Sequence, residues 1–344
     1  MTKRSIYSLS FTELHDYFKD QFDSTHFLTS TLQRVYKNRL TELPEKIMTA
    51  VLQDFSDDLP KISETLEAQD GTVKFQVEFS DGEKVETVLI PFAKRFTVCL
   101  STQVGCAMKC SFCYTGTQGL KRNLQASEIV GQFLVAKFWL KNHYPDLPTP
   151  SIVFMGQGEP LHNFESLKQA IEILIHPKLG EVGPRQITLS TAGFLPKIPR
   201  IQELAPVNIA LSFHSPFTEE RDELIPINKQ YPLIDVLKAL ETLPRLKRQF
   251  ITIEYLMIKN FNMQDRHVHE MDKLLSPLPV IINLIPFNPY PGSVYERPSD
   301  EEINHFRNKL VEKKLRVMLR TTKGDDILAA CGQLKILKDK NVVR

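Results

Sequence analysis

An incomplete parallel β/α barrel, or an equally consistent open parallel sheet, is the α/β architecture this sequence predicts. Three observations point to it. Six short apolar, β-branched runs recur between Thr97 and Pro286, which is a strand signature. Helical stretches separate them, as crossovers between parallel strands require. The residue types that do chemistry cluster just after those runs, at the C-terminal strand ends where such folds build their sites.

Taken in order, residues 8–55 read as two or three short helices. Ser10, with Glu13 three residues on, forms a capping-box pattern. Phe27, Leu32 and Val35 follow at roughly helical spacing, and Pro44 opens a helix from Glu45 to Phe55. Val73, Phe75, Val77 and Phe79 then alternate with polar residues. Asp81-Gly82 supplies a turn, and Val85, Thr87 and Leu89 answer on a return strand. The six barrel strands are expected at Thr97–Val104, Ser151–Met155, Ile187–Ser190, Asn208–Phe213, Ile251–Ile258 and Val280–Pro286. Helices are expected at Ser127–Leu140, Phe164–Ile175, Pro232–Leu240 and Asp265–Leu275. The expected division is a helical domain over 1–58, a β-hairpin linker over 59–95, a core over 96–322 and a C-terminal segment over 323–344.

Composition excludes some classes. Of 344 residues, 42% are hydrophobic and 24% charged, ordinary for a globular protein. No apolar run reaches the roughly 18 residues that a membrane helix needs, and the N-terminus lacks a signal-peptide core. Five cysteines, three of them clustered, fit a reducing cytoplasm better than a disulfide framework. Charge is uneven: residues 306–344 hold eleven Lys/Arg against four Asp/Glu, while residues 1–70 hold eight against twelve. The basic tail suits phosphate and equally suits a solvated helix face.

The densest chemistry is Cys106-Ala-Met-Lys-Cys110-Ser-Phe-Cys113. A closed structural zinc site wants four ligands, usually as two separated pairs, and no second pair exists. Three thiolates can instead hold a cubane iron–sulfur cluster and leave one iron free for another ligand. Gly156-Gln-Gly158-Glu159-Pro160 follows the second strand. Its glycines permit close backbone approach to a ligand, and Glu159 can meet an ammonium group. Ser190-Thr191, Ser212-Phe213-His214 and Asn288 stand at later strand ends. In isolation His214 reads as a satisfied strand-end histidine and Asn288 as a turn residue. Cys99 and Cys331, 232 residues apart, lie outside the triad. Alone, Cys99 reads as a core hydrophobe. His267 and His269, two apart, do not share a helix face and read as solvated.

The triad with its acidic Gly-rich loop resembles the radical S-adenosylmethionine superfamily. The flanking text narrows the likeness: Ser101-Thr-Gln-Val-Gly105, Gly119-Leu-Lys-Arg-Asn123, Phe154 to Leu161, Leu224-Ile-Pro-Ile-Asn228, Leu284 to Gly292, and Gly324-Asp-Asp-Ile-Leu-Ala-Ala-Cys331-Gly-Gln-Leu334. In this order they are similar to the dual-specificity RNA adenine carbon-2 methyltransferases. That resemblance implies a partial six-unit radical-SAM barrel, a [4Fe-4S] cluster on Cys106, Cys110 and Cys113, and S-adenosylmethionine used twice per turnover. It implies cofactor contacts at Gly158, Glu159, Ser190, Ser212, Phe213, His214 and Asn288. It also implies a methyl-carrier role for Cys331, a resolving role for Cys99 that ends in a Cys99–Cys331 disulfide, and Glu86 as proton acceptor. The reaction it implies methylates an adenine of 23S rRNA at the peptidyl-transferase centre and the adenosine 3′ of the tRNA anticodon, through a transient protein–RNA adduct. The implied partners are 23S rRNA, tRNA and an external one-electron reductant, with no membrane, for a cytoplasmic monomer whose residues 1–58 dock RNA. Alternatives are a carbon-8 methyltransferase of the antibiotic-resistance type, a non-catalytic RNA-binding iron–sulfur protein and a radical enzyme acting on a small molecule. The chain departs from the family's usual text at Tyr114, where a small residue is usual, at Gln157 and at Phe213. Phe27-Leu28-Thr29 replaces an arginine-bearing stretch.

Overall fold

The computed structural model describes residues 3–20, 29–30, 33–34, 36, 45–180, 182–244, 246 and 249–336. Phe27, Leu32, Val35 and Pro44 of the predicted N-terminal helices lie outside the described residues. Helix α1 (Phe11–Phe18) starts at Ser10, whose side chain accepts from the Glu13 backbone while Glu13 returns the bond, so the predicted capping box is present. Leu14 and Phe18 face inward, and Phe11 stacks on His176 at 4.7 Å. Helix α2 spans Glu45–Asp54.

One ten-stranded sheet organises the rest. Its strands are β1 (Lys61–Glu67), β2 (Val73–Glu78), β3 (Lys84–Phe92), β4 (Arg95–Cys99), β5 (Ser151–Phe154), β6 (Ile187–Thr191), β7 (Asn208–Ser212), β8 (Ile251–Met257), β9 (Val280–Pro286) and β10 (Val317–Leu319). They lie side by side in sequence order. β1 to β4 pair antiparallel, and every pairing from β4 to β10 is parallel. The two edge strands do not pair with each other, so this is an open, incomplete barrel. All six predicted strands are present, and β10 is an additional edge strand. The predicted hairpin extends the barrel sheet itself: β3 pairs with β4 from Val88↔Cys99 to Phe92↔Arg95.

Helices fill the crossovers, as parallel pairing demands. They are α3 (Ala126–His143), α4 (Phe164–Ile175), α5 (Thr218–Leu224), α6 (Leu233–Glu241), α7 (Asp265–Leu275) and α8 (Asp300–Glu312). Between β6 and β7 the crossover is a 3-10 helix, Leu195–Glu203, because Pro196 and Pro199 forbid regular α-helix there. Ile129, Val130, Phe133 and Leu134 of α3 and Ile152, Leu189, Leu211 and Ile253 of the strands belong to one continuous hydrophobic core. Gln132, fully buried, accepts from Thr87 Oγ1 at 2.9 Å and Ser101 N at 3.0 Å and donates to Ser101 O at 3.1 Å. It fixes the exit of β4, where the cysteine loop begins. His267 corrects the reading above. It is fully buried, with Nε2 2.8 Å from the Glu220 carboxylate.

Candidate active site

The cysteine loop is gripped at its base. Gln103–Gly105 pairs antiparallel with Leu120–Asn123, and Cys106 N donates to Gly119 O at 3.0 Å. Gly105 has φ +77°, and a Cβ there would lie 1.8 Å from Gly119 O, so no other residue fits without moving backbone. Within the loop Cys113 N donates to Cys110 O at 3.1 Å, turning the last two thiols toward the same side. All five cysteines are reduced. Cys106, Cys110 and Cys113 line one cleft. Burial pushes the Cys106 thiol up to about 12, the Cys110 thiol well above its ordinary value, and the Cys113 thiol up. Three such thiols ionise when metal charge is placed among them. Among the described residues no three His, Cys, Asp or Glu groups close on a single ion. The thiols line a cavity rather than converge on a point.

The Gly-rich loop forms the facing wall. A Cβ on Gly156 would lie 2.7 Å from Leu100 O, and one on Gly158 (φ +104°) would lie 2.6 Å from Gln103 Cβ. Both glycines are required by packing within the protein itself, a reason the sequence did not supply. Glu159 is 3% exposed. Its Oε1 accepts from Thr191 Oγ1 at 2.8 Å and Leu161 N at 3.1 Å, and its Oε2 from Ala192 N at 2.8 Å. Oε2 keeps capacity for one more donor. Burial nonetheless raises this carboxyl, so a bound cation is the natural partner of its charged form.

Ser190, Thr191, Ser212 and His214 line the same cleft. Thr191, read from the sequence only as a strand-end residue, also holds Glu159. His214 has φ +59° and is stripped of charge by burial, its pKa lowered to about 3. Its Nδ1 accepts from Leu256 N at 3.1 Å. The proton of the neutral ring is therefore on Nε2, a single donor. Phe213 does not reach the cleft; its side chain is fully buried in the core, 6.2 Å from the Tyr255 ring. Gln157 is also buried and accepts from Glu86 N at 3.2 Å.

A second, smaller cavity adjoins the first. Cys99 and Asn288 line it, and Cys331, Met155, Ile285 and Arg320 line both. Cys331 thus stands on the partition between the thiol cleft and the Cys99 chamber. Burial, then the neighbouring Cys331, pushes Cys99 up to about 12, so at neutral pH it is a thiol.

The segment bearing Cys331 is strapped down from several sides. Asn288 Nδ2 donates to Cys331 O at 3.2 Å, and Tyr114 N to Gly332 O at 2.6 Å. Thr115 Oγ1 donates to Leu334 O at 2.6 Å, and Lys74 Nζ to Leu328 O at 3.1 Å. Leu328 sits at φ +52°, an uncommon backbone for leucine. Tyr114 stacks on Tyr290 at 4.7 Å, with Lys335 Nζ 4.2 Å above its ring. It clasps the cysteine loop to the Cys331 segment and does not line the cleft.

Glu86 is 4% exposed and lines neither cavity. Its carboxylate is 3.0 Å from Lys74 Nζ and accepts from Lys335 N at 2.7 Å. Burial raises its pKa against the pull of Lys74. Lys74→Met is expected to destabilise the fold by about 3–5 kcal/mol, the usual cost of leaving one partner of a buried pair uncompensated. Thermal unfolding measures it. A midpoint equal to that of the unaltered protein would contradict the assignment.

Fold and cleft together point to an iron–sulfur enzyme: three thiols on one loop, Cys331 brought to the same cleft by a separate segment, and an acidic loop across an open cavity at the strand ends. The model of the Radical SAM superfamily matches residues 100–271. A radical SAM methyltransferase from Sphaerobacter thermophilus is 33% identical, with a TM-score of 0.89 over 96% of this chain and 99% of that one. A domain of the pyruvate-formate lyase-activating enzyme from Bacteroides vulgatus aligns with 18% identity and a TM-score of 0.35, over 50% of this chain and 99% of its own. A spore photoproduct lyase variant aligns with 11% identity and a TM-score of 0.39, over 64% of this chain and 75% of its own. The chain belongs to the radical SAM superfamily, whose members use a [4Fe-4S] cluster and S-adenosylmethionine. Among the described residues no helix is long and apolar enough to cross a membrane.

Proposed function

We propose that this chain methylates carbon-2 of an adenine in 23S rRNA, and of the adenosine 3′ of the tRNA anticodon, with Cys331 as methyl carrier and Cys99 as resolving thiol. The observation that carries this reading is Cys331's place on the wall of both cavities. Adenine carbon-2 is not nucleophilic, so a polar methyl transfer does not reach it, and a sulfur that can hold the carbon is needed. The motifs in order from Ser101 to Leu334 support RNA as the substrate class.

Cys106, Cys110 and Cys113 hold the cluster. Glu159 and the strand-end groups Ser190, Ser212 and His214 hold S-adenosylmethionine, with Gly158 shaping the loop. The bound pair supplies a methyl group and one-electron cleavage of a sulfonium. His214 offers its Nε2 proton to an acceptor in the cleft. Asn288 fixes the Cys331 carbonyl. Cys99 resolves the adduct: after it gives up its proton, its sulfur attacks the Cys331 sulfur, the S–S bond forms as the Cys331 S–C bond breaks, and the electron pair of that bond stays on the carbon attached to the base, which takes up a proton to become the methyl group. Glu86 acts on the carrier segment through Lys335 and Lys74, and this holding role replaces direct proton abstraction in our reading.

Anaerobic reconstitution with iron and sulfide, incubation with protein-free 23S RNA and nucleoside analysis test the reaction. 2-Methyladenosine is expected; 8-methyladenosine alone would overturn carbon-2. In the same assay Cys99→Ala is expected to accumulate a covalent protein–RNA species joined at Cys331, seen as a shifted band on a denaturing gel. A clean gel after turnover would remove Cys99 from the resolving role.

A further inference from the structure

Arg320 has no part in the chemistry described so far, and its surroundings are unusual. It follows β10 directly, its backbone N donating to Leu284 O at 2.9 Å. It is the charged side chain common to both cavities: Lys323 lines only the smaller, and Glu159 and Glu254 line only the larger. A guanidinium carries five N–H donors. Among the described residues its one side-chain hydrogen bond is with Met155 Sδ, at 3.9 Å, a weak acceptor. Cys331 is its strongest electrostatic neighbour, and Glu254 and Cys99 follow. Glu254 is 5% exposed. One of its oxygens accepts from Asn283 Nδ2 at 2.9 Å. Arg320 is partly exposed, so the donors it does not spend on Met155 face the two cavities it lines and are available to a ligand that enters them.

The ligand must place a carbon against Cys331 and present acceptors within reach of Arg320. The shared wall is otherwise apolar, formed by Met155 and Ile285, which suits the face of a flat ring. On an adenine, carbon-2 lies between two ring nitrogens, both in-plane acceptors without hydrogens. We propose that Arg320 is a catalytic residue that donates a hydrogen bond to a ring nitrogen of the substrate adenine beside the carbon facing Cys331. The inference rests on the functional reading above and adds the contact that orients the base. Such a bond also draws electron density from the adjacent carbon, favouring attack there.

The test uses cluster-loaded enzyme and RNA carrying adenosine, 1-deazaadenosine or 3-deazaadenosine at the modified position, with single-turnover rates, and with RNA affinities measured without reductant. For the unaltered enzyme, one of the two deaza substitutions is expected to slow the reaction about 10- to 100-fold, the usual effect of losing a hydrogen bond to a charged group. Arg320→Met is expected to lose a similar factor on adenosine and then to be nearly indifferent to that deaza substitution. Arg320→Lys is expected to fall between. Iron content and the mass of Cys331 report whether the variants fold and load. Full deaza sensitivity in Arg320→Met would overturn the assignment. So would an unaltered enzyme indifferent to both nitrogens, a result that needs no variant to fold. An unaltered enzyme giving no methyladenosine from ordinary RNA would instead overturn the functional reading, and this contact with it.

Discussion

Cys110→Ala protein, prepared anaerobically with iron and sulfide, is expected to retain little or no cluster and to lose all measurable methyl transfer. Cys110 is the middle thiol of the triad and lines the cleft with Cys106 and Cys113. Its backbone is fixed independently of any metal, by the bond from Cys113 N and by the packing of Gly116, whose Cβ would lie 2.9 Å from Cys110 O. Alanine preserves that backbone, so the fold should survive while a ligand is removed. Two thiolates cannot replace three at a cubane that already leaves one iron unligated. The decisive measurements are iron and sulfide content with the visible absorbance of the cluster. A fully loaded, active variant would mean that the metal lies elsewhere.

Cys331→Ala should separate loading from chemistry. Iron content and RNA affinity are expected to match the unaltered protein, while methyl transfer falls by at least about 10³-fold, in line with removal of a nucleophile from a unit that acts together. The structure supports such a clean separation. Cys331 is partly exposed to the cavities, and its segment is held by bonds from Asn288, Tyr114, Thr115 and Lys74 that do not use its sulfur. Mass spectrometry adds a second readout: a methyl group on residue 331 before turnover in the unaltered protein, and none in the variant. Retained methylation of RNA by the variant would remove the carrier role and favour another route.

Much of this site was legible because its signals are local. The triad lies within eight residues, Glu159 lies in its loop, and the capping box at Ser10 and the turn at Asp81-Gly82 are short-range rules. The strands were found because each is a compact apolar run. What escaped depends on partners far away in the chain. Glu86 was named only by the resemblance, as a proton acceptor, yet it is buried against Lys335, 249 residues on, and Lys74. His267 looked solvated, but Glu220, 47 residues away, pairs with it. Arg320 was one of eleven basic residues in a tail read for its net charge, and nothing near it in sequence marks it as a side chain that lines both cavities. Glu254 gave a fainter signal that was available: an acid inside an apolar strand is rarely there without a task. Phe213 was placed at the cofactor by its motif, but its apolar ring follows the core.

The sheet's open edges have a consequence for how the protein is made. β10 ends at one margin, and the segment after it crosses to the opposite one. There Gly324 N meets Asp70, Lys74 meets Leu328 O and Lys335 N meets Glu86, contacts spanning 249 to 254 residues. Neighbouring strands zip early because their loops are short, whereas pairings this remote carry the largest closure entropy and form late. On the ribosome, where chains fold from the N-terminus onward, the sheet can assemble while its mouth is still unbarred. The two-cavity site is complete only once residues 324–335 have emerged, so the nascent chain passes through a stage with the three loop thiols in place and Cys331 not yet beside them.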